Sequence, residues 1–182
     1  MADRGLTGIL LVGGASTRFG SPKALARLDG RTLAEIGWET LACCDERIAV
    51  GKTADGLALP FPLVDDGTDV RAPIAGVVAV LRAARHDLCV VLPVDMPLVD
   101  AATLRELAGA CADAAVPQTG PLPGAYRKSA LPVLERCLAE GRLSLRGALT
   151  TLDVVVLEVD LAQLVNVNTP EELVALSASA RA

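Results

Sequence analysis

Unbroken apolar runs alternate with stretches of helical periodicity from one end of this chain to the other. Thr7 to Val12 is a run of leucine and β-branched residues stopped by Gly13 and Gly14, the pattern of a buried strand entering a glycine loop. Ile48 to Val50, Leu63 to Val64, Leu88 to Val94 and Val154 to Val159 have the same continuous rather than alternating hydrophobicity, which predicts strands covered on both faces. Between them, Arg31 to Cys44, Pro73 to Arg85, Asp100 to Ala112, Ser129 to Glu140 and Pro170 to Ala180 read as helices. In the second of these, Ile74, Val77, Val78 and Leu81 fall at helical spacing, and Pro73 stands at the first helical position, where a missing N–H costs nothing. The last opens Thr169-Pro170-Glu171-Glu172, which predicts a capping box in which Thr169 caps the helix and Glu172 reaches back. The Pro/Gly-rich stretch Val116 to Gly124 reads as a loop.

Strands alternating with helices throughout predict parallel pairing through right-handed crossovers, hence an α/β fold in three layers. In such a sheet the ligand crevice lies outside the carboxyl ends of the strands. A length of 182 residues suits one domain over 1–182, with 1–5 and 177–182 expected to fray.

Composition narrows the function. Although 52% of residues are hydrophobic, no apolar run reaches the roughly 20 residues a membrane span needs, so the expectation is a soluble chain. The net charge is −5 and no basic run exists, which argues against DNA or RNA as the main partner. Aromatics are 2% of residues, too few for base-stacking platforms, so nucleotides remain only as small molecules. The cysteines (Cys43, Cys44, Cys89, Cys111, Cys137) form no CxxC pair, and no signal-peptide pattern precedes them, so a reducing cytoplasm is expected. The single histidine, His86, is a thin basis for triad chemistry or a zinc site.

Three segments carry chemistry. Residues Leu11-Val12-Gly13-Gly14-Ala15-Ser16-Thr17-Arg18-Phe19-Gly20-Ser21-Pro22-Lys23 follow the first strand. Paired glycines let backbone N–H groups approach an anion, with Arg18 and Lys23 adding positive charge. The spacing is neither a P-loop nor GxGxxG, and the lesser alternative from these residues alone is a plain glycine turn with two solvated cations. In Leu92-Pro93-Val94-Asp95-Met96-Pro97, an acid ends the most hydrophobic strand, a costly place unless it meets a cation or donors. Asp95 suits hard-oxygen ligation of Mg²⁺ beside phosphates, or the capping of a turn or of the helix near Asp100. Asp65, Asp66 and nearby Asp69 end another strand, facing the same crevice or solvent. In Asn166-Val167-Asn168-Thr169-Pro170, alternate amides face one ligand or satisfy loop backbone.

Together with Pro-Ile-Ala-Gly at 73 to 76, Ser144-Leu145-Arg146, and Asn-Val-Asn-Thr-Pro-Glu-Glu-Leu at 166 to 173, these motifs resemble the molybdenum cofactor guanylyltransferases over nearly the whole chain. The resemblance implies a Rossmann-like, mostly parallel sheet of the nucleotidyltransferase (glycosyltransferase A-like) type. It implies Mg²⁺-dependent transfer of GMP from GTP to molybdopterin with release of pyrophosphate, and transient contact with other cofactor-biosynthesis or acceptor proteins. By motif position, Leu11, Val12, Gly13 and Gly14 would bind the nucleotide and Lys23 its phosphates. Asp66 would contact the nucleotide, Asp95 would hold nucleotide and metal, and Arg18 and Asn168 extend that catalytic and metal-binding set. The chain departs from the family pattern at Gly51, where an asparagine is common, and at Pro22, where an acidic residue usually precedes the lysine. Alternatives are cytidylyl or other nucleotidyl transfer to molybdopterin or to a sugar or polyol phosphate, and a non-catalytic nucleotide-binding module.

Overall fold

The computed structural model describes residues 5–12 and 22–179. The chain opens with β1 (Leu6–Leu11) and, after a short 3-10 turn at Lys23–Leu25, forms a small hairpin of β2 (Arg27–Leu28) and β3 (Arg31–Thr32). Asp29 and Gly30 both have positive φ in its turn, the geometry that matches the twist of a two-residue hairpin. Then come α1 (Leu33–Thr40), β4 (Glu46–Gly51), β5 (Leu63–Asp65), α2 (Pro73–Ala83), β6 (Leu88–Pro93) and α3 (Ala101–Ala110). The remainder is β7 (Ala114–Pro117), β8 (Gly124–Arg127), α4 (Leu131–Ala139), α5 (Leu145–Leu149), β9 (Val154–Leu157) and α6 (Pro170–Ser179). No helix among the described residues is long and apolar enough to cross a membrane.

Seven strands form one sheet in the order β5-β4-β1-β6-β8-β7-β9. All run parallel except β8, which pairs antiparallel with both β6 and β7. The sheet is therefore mostly parallel, as expected of this α/β pattern. The Val116 to Gly124 segment corrects the sequence reading, because its two ends belong to β7 and β8 and only its middle is loop. Ala114, Ala115 and Ala125 are fully buried there, so small side chains at closely covered sheet positions carry these strands rather than β-branched ones.

The alternation of side chains along a strand splits the core into two layers. From β1 and β6, Leu10, Val90 and Leu92 pack with Leu33 of α1, Leu104 of α3 and Leu173 of α6. Ile9, Leu11, Cys89 and Val91 face the other way, onto Ile74 and Val77 of α2, Leu134 of α4 and Leu145 of α5. Helices thus cover both faces, which is why the central strands are apolar without interruption. Helix α2 lies close on β1, since a Cβ on Gly76 would stand 2.9 Å from Leu11 Cδ2.

The helix ends follow the sequence signals. Pro73 is the first residue of α2. At α6, Thr169 Oγ1 accepts from the Glu172 amide at 3.2 Å and Glu172 Oε2 accepts from the Thr169 amide at 3.3 Å, the capping box read from sequence. Asp100, not Asp95, caps α3, accepting from the Thr103 amide at 2.8 Å.

Candidate nucleotide and metal site

From β1 the chain crosses to β4 on one side of the sheet, while β6 lies on the other, so the crevice where connections diverge opens above the carboxyl ends of β1 and β6. Backbone bonds extend the sheet there: the Val12 amide donates to Val50 O at 2.9 Å and the Val94 amide to Leu11 O at 2.9 Å. A cavity of about 520 Å³ lies at this point, its floor made by Leu11, Val12, Val50 and Pro93. That volume falls within the range of small-molecule sites.

At one end of the cavity three residues distant in sequence meet. Lys23 Nζ donates to Asp95 Oδ2 at 3.3 Å and to Asn168 Oδ1 at 2.9 Å. Each is placed by an adjoining element: Lys23 by the 3-10 turn after the glycine loop, Asp95 by the turn that closes β6, Asn168 by the capped start of α6. The Val167 amide donates to Asp95 O at 2.8 Å, so the last two segments are joined by backbone. Val167 is buried while Asn166 lines the cavity and Asn168 reaches Lys23, which is the alternation an extended segment imposes. The carboxylate of Asp95 thus has the cationic partner its position demands.

At the other end, above β4 and β5, Asp66 accepts from Lys52 Nζ at 2.6 Å and from the Thr68 amide at 3.2 Å. Lys52 also donates to the Thr68 carbonyl oxygen. Asp66 lines the cavity; Asp65 and Asp69 do not. Asp65 instead accepts from the Thr53 hydroxyl at 2.6 Å, the Thr53 amide at 2.8 Å and the Gly67 amide at 2.8 Å. Those bonds, the Thr53 hydroxyl first, hold its carboxyl down at about 2.

Gly13, Gly14 and Arg18 lie outside the described residues. The remaining expected site residues, Leu11, Val12, Lys23, Asp66, Asp95 and Asn168, all sit on this cavity or bond to a residue that does. Sequence reasoning missed Lys52 and Arg71, and it named Arg146 only within a motif. All three are on the cavity wall, although Arg71 is also paired with Asp55 at 2.8 Å and Arg146 donates to Thr119 O at 2.7 Å. Lys52 directly follows β4, so applying the strand-end rule to every strand selects it. Among the described residues, the charged ones on the wall are Lys23, Lys52, Arg71 and Arg146 against Asp66 and Asp95, a cationic excess in a chain of net charge −5. A polyanion is the ligand such a cavity favours.

Among the described residues no group of three His, Cys, Asp or Glu side chains stands ready to hold a metal. The donor set at Asp95 nevertheless fits Mg²⁺. One carboxylate and one amide oxygen already converge on a single cationic atom, and Mg²⁺ in nucleotide sites takes one or two carboxylates and completes its shell with water and phosphate. None of the cysteines lines the cavity, so a nucleophilic thiol has no place in this site. Burial pushes the Cys89 thiol up to about 12 and the Cys111 thiol up to about 11, leaving both protonated at neutral pH.

The model of the MobA-like NTP transferase domain matches residues 8–158. The chain is 32% identical to a molybdenum cofactor guanylyltransferase of Desulfosudis oleivorans, covering 97% of this chain and 96% of the relative. It is also 32% identical to one of Pseudomonas syringae, with 93% and 92% covered. Among solved structures, molybdopterin-guanine dinucleotide biosynthesis protein A from Archaeoglobus fulgidus superposes with a TM-score of 0.83 at 29% identity, covering 96% of this chain and 98% of that one. The 2-C-methyl-D-erythritol 4-phosphate cytidylyltransferase of Thermus thermophilus, at 20% identity and a TM-score of 0.75, shares the fold. With the motifs in order, the mostly parallel sheet and the crevice at its switch point, the chain belongs to the MobA-like NTP transferase family, as a nucleotidyltransferase of the molybdenum cofactor guanylyltransferase kind.

Proposed function

We propose that this chain transfers GMP from GTP to the terminal phosphate of molybdopterin, releasing pyrophosphate. The observation that carries the reading is the meeting of Lys23, Asp95 and Asn168 at one end of a cationic cavity above β1 and β6. The named function of the relatives from Desulfosudis oleivorans and Pseudomonas syringae supports guanylyl transfer in particular.

In this reading an oxygen of the acceptor's phosphate attacks the α-phosphorus in line. A new P–O bond forms as the α–β bridging P–O bond breaks, and pyrophosphate leaves with the electron pair. A phosphate monoester has its second pKa at about 6, so the nucleophile is already an anion and no side chain need remove a proton. The work left for the protein is to bring two anions together and neutralise them. Leu11 and Val12 line the nucleoside and Lys23 takes the charge of the departing pyrophosphate, to which the motif would add Gly13, Gly14 and Arg18. Asp95, assisted by Asn168, would hold Mg²⁺, which when bound neutralises charge on phosphate oxygens. Asp66 contacts the nucleotide from the far wall. The whole chain acts as one nucleotidyltransferase domain, and its five free thiols suit the reducing cytoplasm.

Pyrophosphate release tests this, with Mg²⁺ present and GTP, CTP, ATP or UTP supplied with and without molybdopterin. Release confined to GTP with molybdopterin is expected. Release with CTP instead would keep the transfer and replace the donor, and silence with every nucleotide would overturn the reading.

A further inference from the structure

The ion pair of Lys52 and Asp66 has bonding capacity left over, and it faces the cavity. An ammonium has three protons. Lys52 spends one on Asp66 Oδ1 and one on the Thr68 carbonyl, and among the described residues the third has no acceptor. Asp66 Oδ1 receives Lys52 and the Thr68 amide, while Oδ2 receives no donor among the described residues. Both residues line the cavity and their side chains are only 11% and 9% exposed, so a ligand in the cavity is placed to complete them. A nearly buried donor and acceptor side by side make a recognition edge, because a ligand that fails to complete them leaves desolvated groups unpaired.

Position says which part of a nucleotide that edge meets. The carboxyl ends run in the order β6, β1, β4, β5, from Asp95 to Asp66, which is three strand spacings or about 14 Å. With the phosphates at Lys23 and Asp95, an extended purine nucleotide lays its base at the Lys52 end. Gly51 has no side chain to intervene there, so Lys52 supplies the first polar group beyond β4.

We propose that Lys52 reads the base of the donor nucleotide, its ammonium donating to O6 of guanine while Asp66 Oδ2 accepts from the neighbouring ring N–H. Guanine offers O6 and N7 as adjacent acceptors, a pattern lysine commonly reads. Adenine and cytosine place an amino group where O6 would be, setting donor against donor, and uracil presents its oxygen from a shorter ring. Lys52 is thus a specificity residue, and the inference rests on GTP being the donor.

The experiment measures the affinity of the full chain for GTP, 6-thio-GTP and ITP, in the wild type and in Lys52→Met and Lys52→Arg variants. 6-thio-GTP keeps every ring N–H but exchanges O6 for a weakly accepting sulfur; ITP keeps O6 and loses only the amino group. The wild type should bind GTP on the order of 10- to 100-fold more tightly than 6-thio-GTP. Lys52→Met should bring that ratio close to one while leaving the GTP-to-ITP ratio unchanged, and Lys52→Arg should retain much of the discrimination. If Lys52→Met weakens GTP and 6-thio-GTP by the same factor, the lysine only fastens the loop and the inference fails while the GTP reading stands. If the methionine variant does not fold, the wild type decides alone, since equal affinity for the two nucleotides overturns the proposal. Failure of the wild type to bind GTP at all would overturn both.

Discussion

The Val167 amide donates to the Asp95 carbonyl oxygen at 2.8 Å, so the turn that bears the candidate metal carboxylate is fastened by backbone to the segment that bears Asn168. A bond from one loop to another across the mouth of a crevice holds both side chains in a fixed relation before any ligand arrives. Preorganisation of this kind is what charge-neutralising catalysis requires, because groups already aimed need not reorganise during the reaction.

Asp95→Ala and Lys23→Ala should each lose about 100-fold or more in turnover. Neither should unfold the chain, since both side chains retain access to solvent at 26% and 18% exposure. Pyrophosphate release alongside a thermal melt checks this. Wild-type turnover in both variants would show that the chemistry lies elsewhere.

Glu172 is expected to position Asn168 without touching substrate. Its Oε2 accepts from the Asn168 amide at 2.6 Å as well as from the Thr169 amide. Glu172→Ala should cost about 1 kcal/mol of stability through the lost cap. It should also raise the Mg²⁺ concentration needed for half-maximal rate more than it lowers the rate at saturation. Glu172→Gln, which can still accept from both amides, should restore the metal dependence. A variant that is merely less stable, with its metal dependence unaltered, would leave Glu172 a structural cap only.

The carboxyl of Asp65, held at about 2 against an ordinary 3.8, fastens Thr53 and Gly67 beside the cavity. Because its folded value is depressed, the stabilisation is fully present above about 3.8 and is lost as pH falls through about 2. Hydrogen exchange at the Thr53 and Gly67 amides, corrected for intrinsic rates, should therefore stay protected at pH 4 and lose protection nearer pH 2. Asp65→Asn should remove that acid transition. Protection already lost by pH 4 in the wild type would contradict the hydrogen-bonded geometry.

Much of the molecule is legible from local pattern. The apolar runs of β1, β4, β6 and β9, Pro73 at the start of α2 and the Thr169–Glu172 box are signals carried within a few residues, and each appears within one or two residues of where the pattern predicts it. Asp95 was legible too, because an acid at the end of a buried strand is a conflict that some cation must resolve. The Asp29-Gly30 turn is equally readable as a hairpin signal, but the helix reading from Arg31 onward takes in Arg31 and Thr32, which instead form β3 against β2.

What local pattern cannot carry is which segments become neighbours. Strands β7 and β8 are short and rich in alanine and glycine, so nothing in their composition marks them; they exist because fully covered sheet positions are open to small residues beside β6. The antiparallel course of β8 follows from the tertiary arrangement, as does the placing of Lys52 against Asp66, which needs β4 and β5 side by side. Hydrophobic period and strand-end chemistry are local properties, so β1, β4, β6 and β9, the main helices, the layers and the end of the sheet at which chemistry lies are all readable along the chain. Tertiary structure alone decided that Lys23, Asp95 and Asn168 share one point and that Lys52 faces the same cavity, because strand order and backbone bonds between distant loops set those distances.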